Sequence, residues 1–391
     1  RENGRLRPAT WPEAFNAIAA KVKATKPEKI GAIAGDMATL EEMYALKGLV
    51  SALGSRNIDG RQDGVKLDPA LGRASYVFNP GIAAIEEADA ILLVGTNPRR
   101  EAPIVNARIR KRWRMGGVKI AVIGEVVDLT YAYDYLGAGP ETLADVVSGK
   151  HSFAEVLKGA KKPLVIVGQG ALARADGQAV LSLAAHAATA FGAVAEGWNG
   201  FAVLHTAASR VGALDLGLVP GEGGLDAAAM AGGGVDVLLS LGADEIAISN
   251  GPFVVYIGTH GDRGAHRADV ILPGAAYTEK NGLTANTEGR IQMVNRAGFP
   301  PGDAKEDWAI LRALSDVLGV KLPYDSLQQL RAAMAKDFPH TLRIGALGPV
   351  DAGSIGALAG KGGKVDAAPF AALIDDFYMT NPIARASATM A

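Results

Sequence analysis

Short apolar runs alternate along this chain with longer stretches whose apolar positions fall three and four residues apart. The first pattern suits a strand buried on both faces, the second a helix with one buried stripe. Thr10-Trp11-Pro12-Glu13 reads as a capping box, Thr10 covering an early N–H and Glu13 reaching back, and Trp11, Phe15, Ile18 and Val22 follow at helical spacing. Residues 30–35 form a short strand. Thr39-Leu40-Glu41-Glu42 repeats the capping box ahead of Met43, Leu46, Leu49, Val50 and Leu53, with Gly54 as the stop. Residues 57–79 are polar, rich in Gly and Asp, and read as a crossing into a second lobe.

That lobe opens with a buried strand at 90–94, a helix from about 101 to 115 and a strand at 118–123, a βαβ unit whose crossover is right-handed. One or two short helices at 142–157, a strand at 163–167 and an Ala-rich helix at 171–191 continue the alternation. Past a Gly-rich segment at 216–234, the strands at 237–241, 253–258 and 270–272 cannot all be local hairpins and are expected to rejoin the first sheet. The last of them stops at Pro273 and Gly274. It delivers an irregular loop, with turns at Asn281-Gly282 and Glu288-Gly289, to the sheet edge where open α/β folds build sites. Asp307 is expected to cap a helix carrying Trp308, Leu311, Leu314 and Leu318. Residues 345–364 read as a Gly/Ala linker too poor in burial to fold alone.

The prediction is therefore α/β: two doubly wound parallel-sheet lobes, one inserted in the other. Residues 1–62 and 231–335 make the first lobe, 63–230 the second, and 336–391 a linker and irregular tail. A length of 391 residues suits two such cores. The net charge of −1 gives no drive toward nucleic acid or anionic lipid, and no apolar window approaches a bilayer span, so a membrane link would run through a partner. There is no cysteine, so this chain cannot supply thiolates to an iron–sulfur cluster or a Cys-rich zinc site. The chain opens at Arg1 with neither initiator Met nor leader, and reads as a piece that begins within a longer protein.

Two strand-end turns are the main site candidates. Gly95, Thr96 and Asn97 follow one buried strand and carry polar groups that would suit a phosphate; Gly242 and Asp244, with Glu245, follow another. Facing one crevice, such turns hold a nucleotide-bearing cofactor in doubly wound proteins, although Asn and Asp also form ordinary turns. Gly168, Gly170 and Ala173, with Glu196 downstream, fit a dinucleotide fingerprint or any tight strand-to-helix turn. His260, Asp262 and His266 come nearest to a metal set, and polar loop residues explain them better. Arg99, Arg100, Arg108, Arg110, Lys111, Arg112 and Arg114 form a basic series, either a solvated face or a surface for an acidic partner. Lys361 and Lys364 flank two glycines without the Ser or Thr of a phosphate loop, and no Ser/His/Asp elbow is present.

Ala88-Asp89, the run Leu92 through Arg99, Glu101-Ala102-Pro103, Asn106 through Lys111 and Val127 through Tyr131 closely resemble one family. That family is the large iron–sulfur peripheral-arm subunit, of the G class, of respiratory complex I, the proton-pumping NADH:quinone oxidoreductase. The resemblance resumes at 268–279, 286–290, Glu306-Asp307-Trp308, 376–380 and Arg385-Ala386-Ser387, and is weak at 57–70, 199–234 and 345–366. It implies a molybdopterin-oxidoreductase fold whose old cofactor crevice lies between the Gly95 and Gly242 turns, with the cofactor lost. It also implies 2Fe-2S and 4Fe-4S clusters in an N-terminal region preceding this chain, and other peripheral-arm subunits as partners. The expected location is peripheral, on the cytoplasmic side of a bacterial inner membrane or the mitochondrial matrix side. On that footing the segment is a silent scaffold with no catalytic or metal-binding residue of its own, within an enzyme complex. The competing readings are a pterin-dependent oxidoreductase retaining molybdenum or tungsten, and a dinucleotide-binding regulator resting on Gly168 and Gly170.

Overall fold

The computed structural model describes residues 1–348 and 350–390; Pro349, inside the expected linker, and Ala391, at the end of the expected tail, lie outside them. Helices α1 (Trp11–Lys23) and α2 (Leu40–Ala52) start with both capping boxes in place. The Glu13 and Glu42 carboxylates each accept from the N-cap N–H at 2.8 Å, satisfying donors that the first turn leaves orphaned. Strand β1 (Ile30–Ala34) lies between the two helices and β2 (Asn57–Asp59) follows them. The stretch read as a crossing thus begins as an edge strand. The Asn57 amide donates to the Glu28 and Ile30 carbonyls, 2.9 Å each, and fixes it beside β1.

The next elements are β3 (Ala90–Val94), α3 (Pro98–Glu101), α4 (Pro103–Arg114), β4 (Lys119–Ile123) and β5 (Asp134–Gly137). After them come α5 (Pro140–Val147), α6 (Phe153–Gly159), β6 (Pro163–Val167), α7 (Gln169–Leu172) and α8 (Gly177–Ala190). A small hairpin of β7 (Val194–Ala195) and β8 (Trp198–Asn199) leads to β9 (Phe201–Val203) and α9 (Arg210–Asp215). Two expected helices are broken here. Pro103 disfavours helical geometry at Ala102, whose φ is −152°, so the 101–115 helix becomes α3 and α4. The 171–191 helix is divided at a turn so tight that a Cβ on Gly177 would lie 2.1 Å from the Leu172 carbonyl oxygen.

The chain returns through α10 (Ala227–Ala229), β10 (Val237–Leu241), β11 (Phe253–Gly258), α11 (Arg263–Arg267) and β12 (Val270–Pro273). An antiparallel hairpin of β13 (Gly282–Ala285) and β14 (Ile291–Val294) precedes α12 (Asp307–Val317) and α13 (Leu327–Asp337). Gly282 is a strand residue and not a turn: a Cβ there would stand 2.4 Å from Thr39 Cγ2, so the hairpin lies against the start of α2. Asp307 is not the cap either. Glu306 holds the N-cap position, and the Asp307 carboxylate turns inward to Lys280.

Two all-parallel five-stranded sheets result, in the orders β12-β11-β10-β1-β2 and β5-β4-β3-β6-β9. Alternate residues of each central strand share one continuous core: Ile30, Ala32 and Ala34 of β1, and Ala90, Leu92 and Val94 of β3. The residues between them enter separate outer cores, Ile33 in one and Ile91 with Leu93 in the other. This period of two on strands covered on both faces joins the sheets through their inner faces. The stretch read as a linker also folds: α14 (Gly353–Ala359) buries Ile355 and Leu358 and rests on α8, where the Ser182 hydroxyl donates to Leu358 O at 2.8 Å. A last helix, α15 (Pro382–Ala386), lies close to the end of the described chain. No described helix is long and apolar enough to cross a membrane.

Candidate functional site

The Gly95 and Gly242 turns both leave the carboxyl ends of parallel strands, and each needs its glycine: φ is +56° at Gly95 and +59° at Gly242. At the first turn the polar groups point at a group within the chain. Glu101 is buried, and its carboxylate accepts from the Thr96 hydroxyl at 2.6 Å and the Asn97 N–H at 2.9 Å. Burial raises the Glu101 pKa, with those two bonds opposing the rise. An internal carboxylate thus takes the donors that would hold a phosphate oxygen.

The glycines of the dinucleotide-like motif pack against backbone. A Cβ on Gly168 would meet Thr96 Cβ at 2.3 Å, and one on Gly170 would meet the Ala371 carbonyl at 2.3 Å and that of Gly95 at 2.9 Å. The helix they open, α7, spans only Gln169–Leu172. Ala371 belongs to the C-terminal tail. Beside it Phe370 is buried, its N–H donates to Ala138 O at 2.9 Å, and the Arg174 guanidinium stacks 5.4 Å from its ring centre. The cavity left among Gly95, Thr96, Glu101 and residues 370–372 is about 10 Å³, room for a water molecule and far too small for a nucleotide.

At the second turn Asp244 is buried, accepting from the Tyr256 hydroxyl at 2.7 Å and the Gly264 N–H at 3.2 Å. Burial pushes its pKa up to about 6 despite those bonds. Glu245 accepts from Gln62 Nε2 and from Arg385 Nη2, both at 2.8 Å, and Arg385 also donates to Asp262 at 2.7 Å. Asp36, at the end of β1, is pushed up to about 7 by burial and by Asp63 and Glu245, with Arg210 opposing; one of its oxygens is closed off without a partner among the described residues. A cavity of about 680 Å³ lies here. Asp36, Asp63, Asp244, Glu245 and Asp262 line it, joined by Asp375 and Asp376 of the tail, against Arg263 and Arg385.

Next to this cavity, Lys280 lies buried between two acids, 2.6 Å from Glu42 and 3.0 Å from Asp307. Burial and the neighbouring Glu42 charge raise the Asp307 pKa far above its ordinary value against the pull of Lys280. Glu42 is also opposed by burial, but Lys280 and hydrogen bonding bring it below its ordinary value. Around Lys280 the two acids are thus pushed apart, Glu42 toward its ionised form and Asp307 toward its protonated one. The trio ties the starts of α2 and α12 to the loop before β13.

The five sequence candidates Gly95, Thr96, Asn97, Gly242 and Asp244 thus lie at the two turns expected, but the chain's own groups engage them. A pterin nucleotide carries phosphates. Its fit fails on three counts: Glu101 uses the Thr96 and Asn97 donors, residues 370–372 close on Gly95, and the cavity at the second turn sets seven carboxylates against two arginines. Asp262 of the possible metal set is spent on Arg385, and among the described residues no group of three acids, histidines or cysteines is placed to hold a metal. Glu101, Phe370 and Arg385 were not singled out from sequence as site residues. The signal for Glu101 was local: a carboxylate four residues after Asn97 at a Pro-led helix start.

A family model of the molybdopterin oxidoreductases matches residues 1–317, and one of the C-terminal part of the NADH-ubiquinone oxidoreductase G subunit matches residues 348–391. The G subunit of the NADH-quinone oxidoreductase of Rickettsia bellii (strain RML369-C) is 41% identical over 393 residues, covering 100% of this chain and 56% of that protein. The mitochondrial NADH dehydrogenase [ubiquinone] iron-sulfur protein 1 of Solanum tuberosum is 41% identical, covering 100% of this chain and 52% of its own. The chain thus spans about half the length of the curated relatives it matches. Among solved structures, the formyltransferase/hydrolase complex FhcABCD of Methylorubrum extorquens superposes with a TM-score of 0.58 at 18% identity, over 80% of this chain and 96% of that one. Acetylene hydratase of Pelobacter acetylenicus gives 0.50 at 13% identity, over 81% and 60%. At such identities the likeness is one of fold.

Proposed function

Because the chain belongs to the molybdopterin oxidoreductase family, and because relatives along its whole length are subunits of NADH-quinone and NADH-ubiquinone oxidoreductases, we propose that it is the cofactor-free scaffold part of such a subunit. On this reading the 2Fe-2S and 4Fe-4S clusters that relay electrons from NADH toward quinone sit in a region preceding this chain. The present residues pack against other peripheral-arm subunits and hold cluster spacing, on the cytoplasmic or matrix side of the membrane. The parent complex is the proton-translocating enzyme, and this segment turns over nothing. The five crevice residues are remnants of a cofactor site, and the two lobes meet near residues 62, 230 and 335.

The single observation that carries the reading is the chain's own filling of the crevice. Glu101 supplies the anion at the Thr96–Asn97 turn, and the tail engages both turns, with Phe370 packed near Gly95 and Arg385 bonded to Glu245. A bound dinucleotide or pterin would have to displace buried, hydrogen-bonded protein groups, each costing about 1–3 kcal/mol to leave unpaired. The retained-cofactor reading also lacks a thiolate for the metal within this chain, which holds no cysteine.

The test is elemental analysis of the purified full-length subunit for molybdenum and tungsten, with fluorescence of oxidised pterin after acid extraction. Iron and no stoichiometric molybdenum, tungsten or pterin is the expected result. One equivalent of pterin per chain would sink the proposal.

A further inference from the structure

Helix α4 carries Arg108, Arg110, Lys111, Arg112 and Arg114 and no acidic residue. Neighbours inside the chain absorb part of this charge. Arg108 and Lys111 share Glu86, and Arg112 donates to the Ala88 and Gly116 carbonyls at 2.6 Å each. Arg110 and Arg114 lie four residues apart, hence on one helical face, and neither side chain has a hydrogen bond or ion pair among the described residues. Their face is opposite the one that buries Val105 and Ile109. Ile104, 71% exposed, and Met115, 64% exposed, lie near the two ends of the helix on the adjoining exposed stripe, about 100° round from the two arginines.

Two unneutralised guanidinium groups beside a stripe that ends in two exposed large apolar side chains are poorly explained as a solvated surface. Charge alone would favour solubility, but the apolar ends gain only when covered. Arginine and methionine are also enriched at the centres of protein interfaces, where a carboxylate completes the planar guanidinium fork. We propose that the outward face of α4 is a docking surface for an acidic protein partner, one that presents a carboxylate to each of Arg110 and Arg114 and apolar side chains to Ile104 and Met115. The inference rests on the scaffold reading, for which it names one interface. For a nucleic acid, this pair of guanidinium groups on a chain of net charge −1 is too little for phosphate-driven binding.

The test uses the assembled NADH:quinone oxidoreductase containing the full-length subunit. A photo-crosslinking benzoylphenylalanine in place of Ile104 is expected to join one sibling subunit at a peptide containing at least two Asp or Glu residues. The double variant Arg110→Glu, Arg114→Glu is expected to weaken retention of that same subunit about ten-fold, and charge reversal of the cross-linked acids to restore it. An unchanged melting temperature of the variant subunit separates lost docking from lost folding. Retention unaffected by the double reversal, or cross-links only to lipid, RNA or an uncharged peptide, would overturn the docking surface while leaving the scaffold reading intact. A subunit that co-purifies with no NADH-oxidising assembly would instead remove the scaffold reading, and this one with it.

Discussion

Arg385 reaches back across 140 residues to place its guanidinium 2.8 Å from the Glu245 carboxylate, and a second donor on Asp262 at 2.7 Å. Residues from the end of the chain thereby close on the turn that ends β10. This clasp and the Phe370 anchor are two of the contacts that position the tail, with the Arg174 guanidinium on the Ala368 and Pro369 carbonyls beside them.

Removing the clasp should release the tail without unfolding the sheets. Arg385→Ala deletes both charged bonds and leaves Glu245 and Asp262 facing each other, at a cost of about 1–3 kcal/mol. Hydrogen exchange followed by mass spectrometry is expected to show faster exchange across residues 373–390 and no change in β1, β3 or β10. Uniform acceleration over the whole chain would show that the tail is part of one cooperative unit.

Glu101→Ala should create the anion site that the wild type occupies itself. The variant leaves the Thr96 hydroxyl and Asn97 N–H unpaired in a buried place and is expected to lose about 2 kcal/mol. Millimolar phosphate should then raise its melting temperature and leave that of the wild type unmoved. An equal response from both would mean that Glu101 does not stand in for a ligand.

Much of this architecture could be read from the chain. The strands at 30–34, 90–94, 163–167 and 237–241 are apolar but for Ser240 because both faces are covered, and Thr10 with Glu13 and Thr39 with Glu42 marked both early helix starts. What sequence obscured depends on partners distant along the chain. Asp307 looked like a cap because its carboxylate precedes an apolar stripe, while its real partner, Lys280, is 27 residues away. The α14 segment looked too poor to fold because its two large apolar residues suffice only when α8 lies beneath them. The crevice turns were visible; Glu101 was not weighed as their occupant, and Arg385 has no local signal.

Asp36 should make the fold less stable as pH rises through the weakly acidic range. Its pKa lies near 3.8 in the open chain and at about 7 in the fold, where burial outweighs the attraction of Arg210, and Asp63 and Glu245 face it across the cavity. Between those values the folded state binds the extra proton, so stability is present at low pH and lost on going up, at no more than roughly 1.4 kcal/mol per pH unit. Urea titrations of the wild type and Asp36→Asn between pH 4.5 and 7.5 are expected to diverge, the variant having the flatter profile. Parallel profiles would show that Asp36 titrates normally.

Lys280 should matter more to stability than any surface cation. It is buried with Glu42 and Asp307 and joins α2, α12 and the loop before β13, whereas pairs such as Lys158 with Glu155 lie exposed and contribute roughly 0.2–1 kcal/mol. Lys280→Met keeps the volume but strands an ionised Glu42 in a buried site, which should cost about 3–5 kcal/mol or force Glu42 to take up a proton. Below the ordinary carboxylate pKa that proton is freely available, so the variant's deficit should shrink as pH falls from 7 toward 4. Adding Glu42→Gln to Lys280→Met should recover part of the loss at pH 7, because the amide removes the uncompensated charge. Chemical denaturation of both variants at pH 7 and pH 4.5 measures this. A single variant within 1 kcal/mol of the wild type at pH 7 would show that burial does not make this ion pair essential.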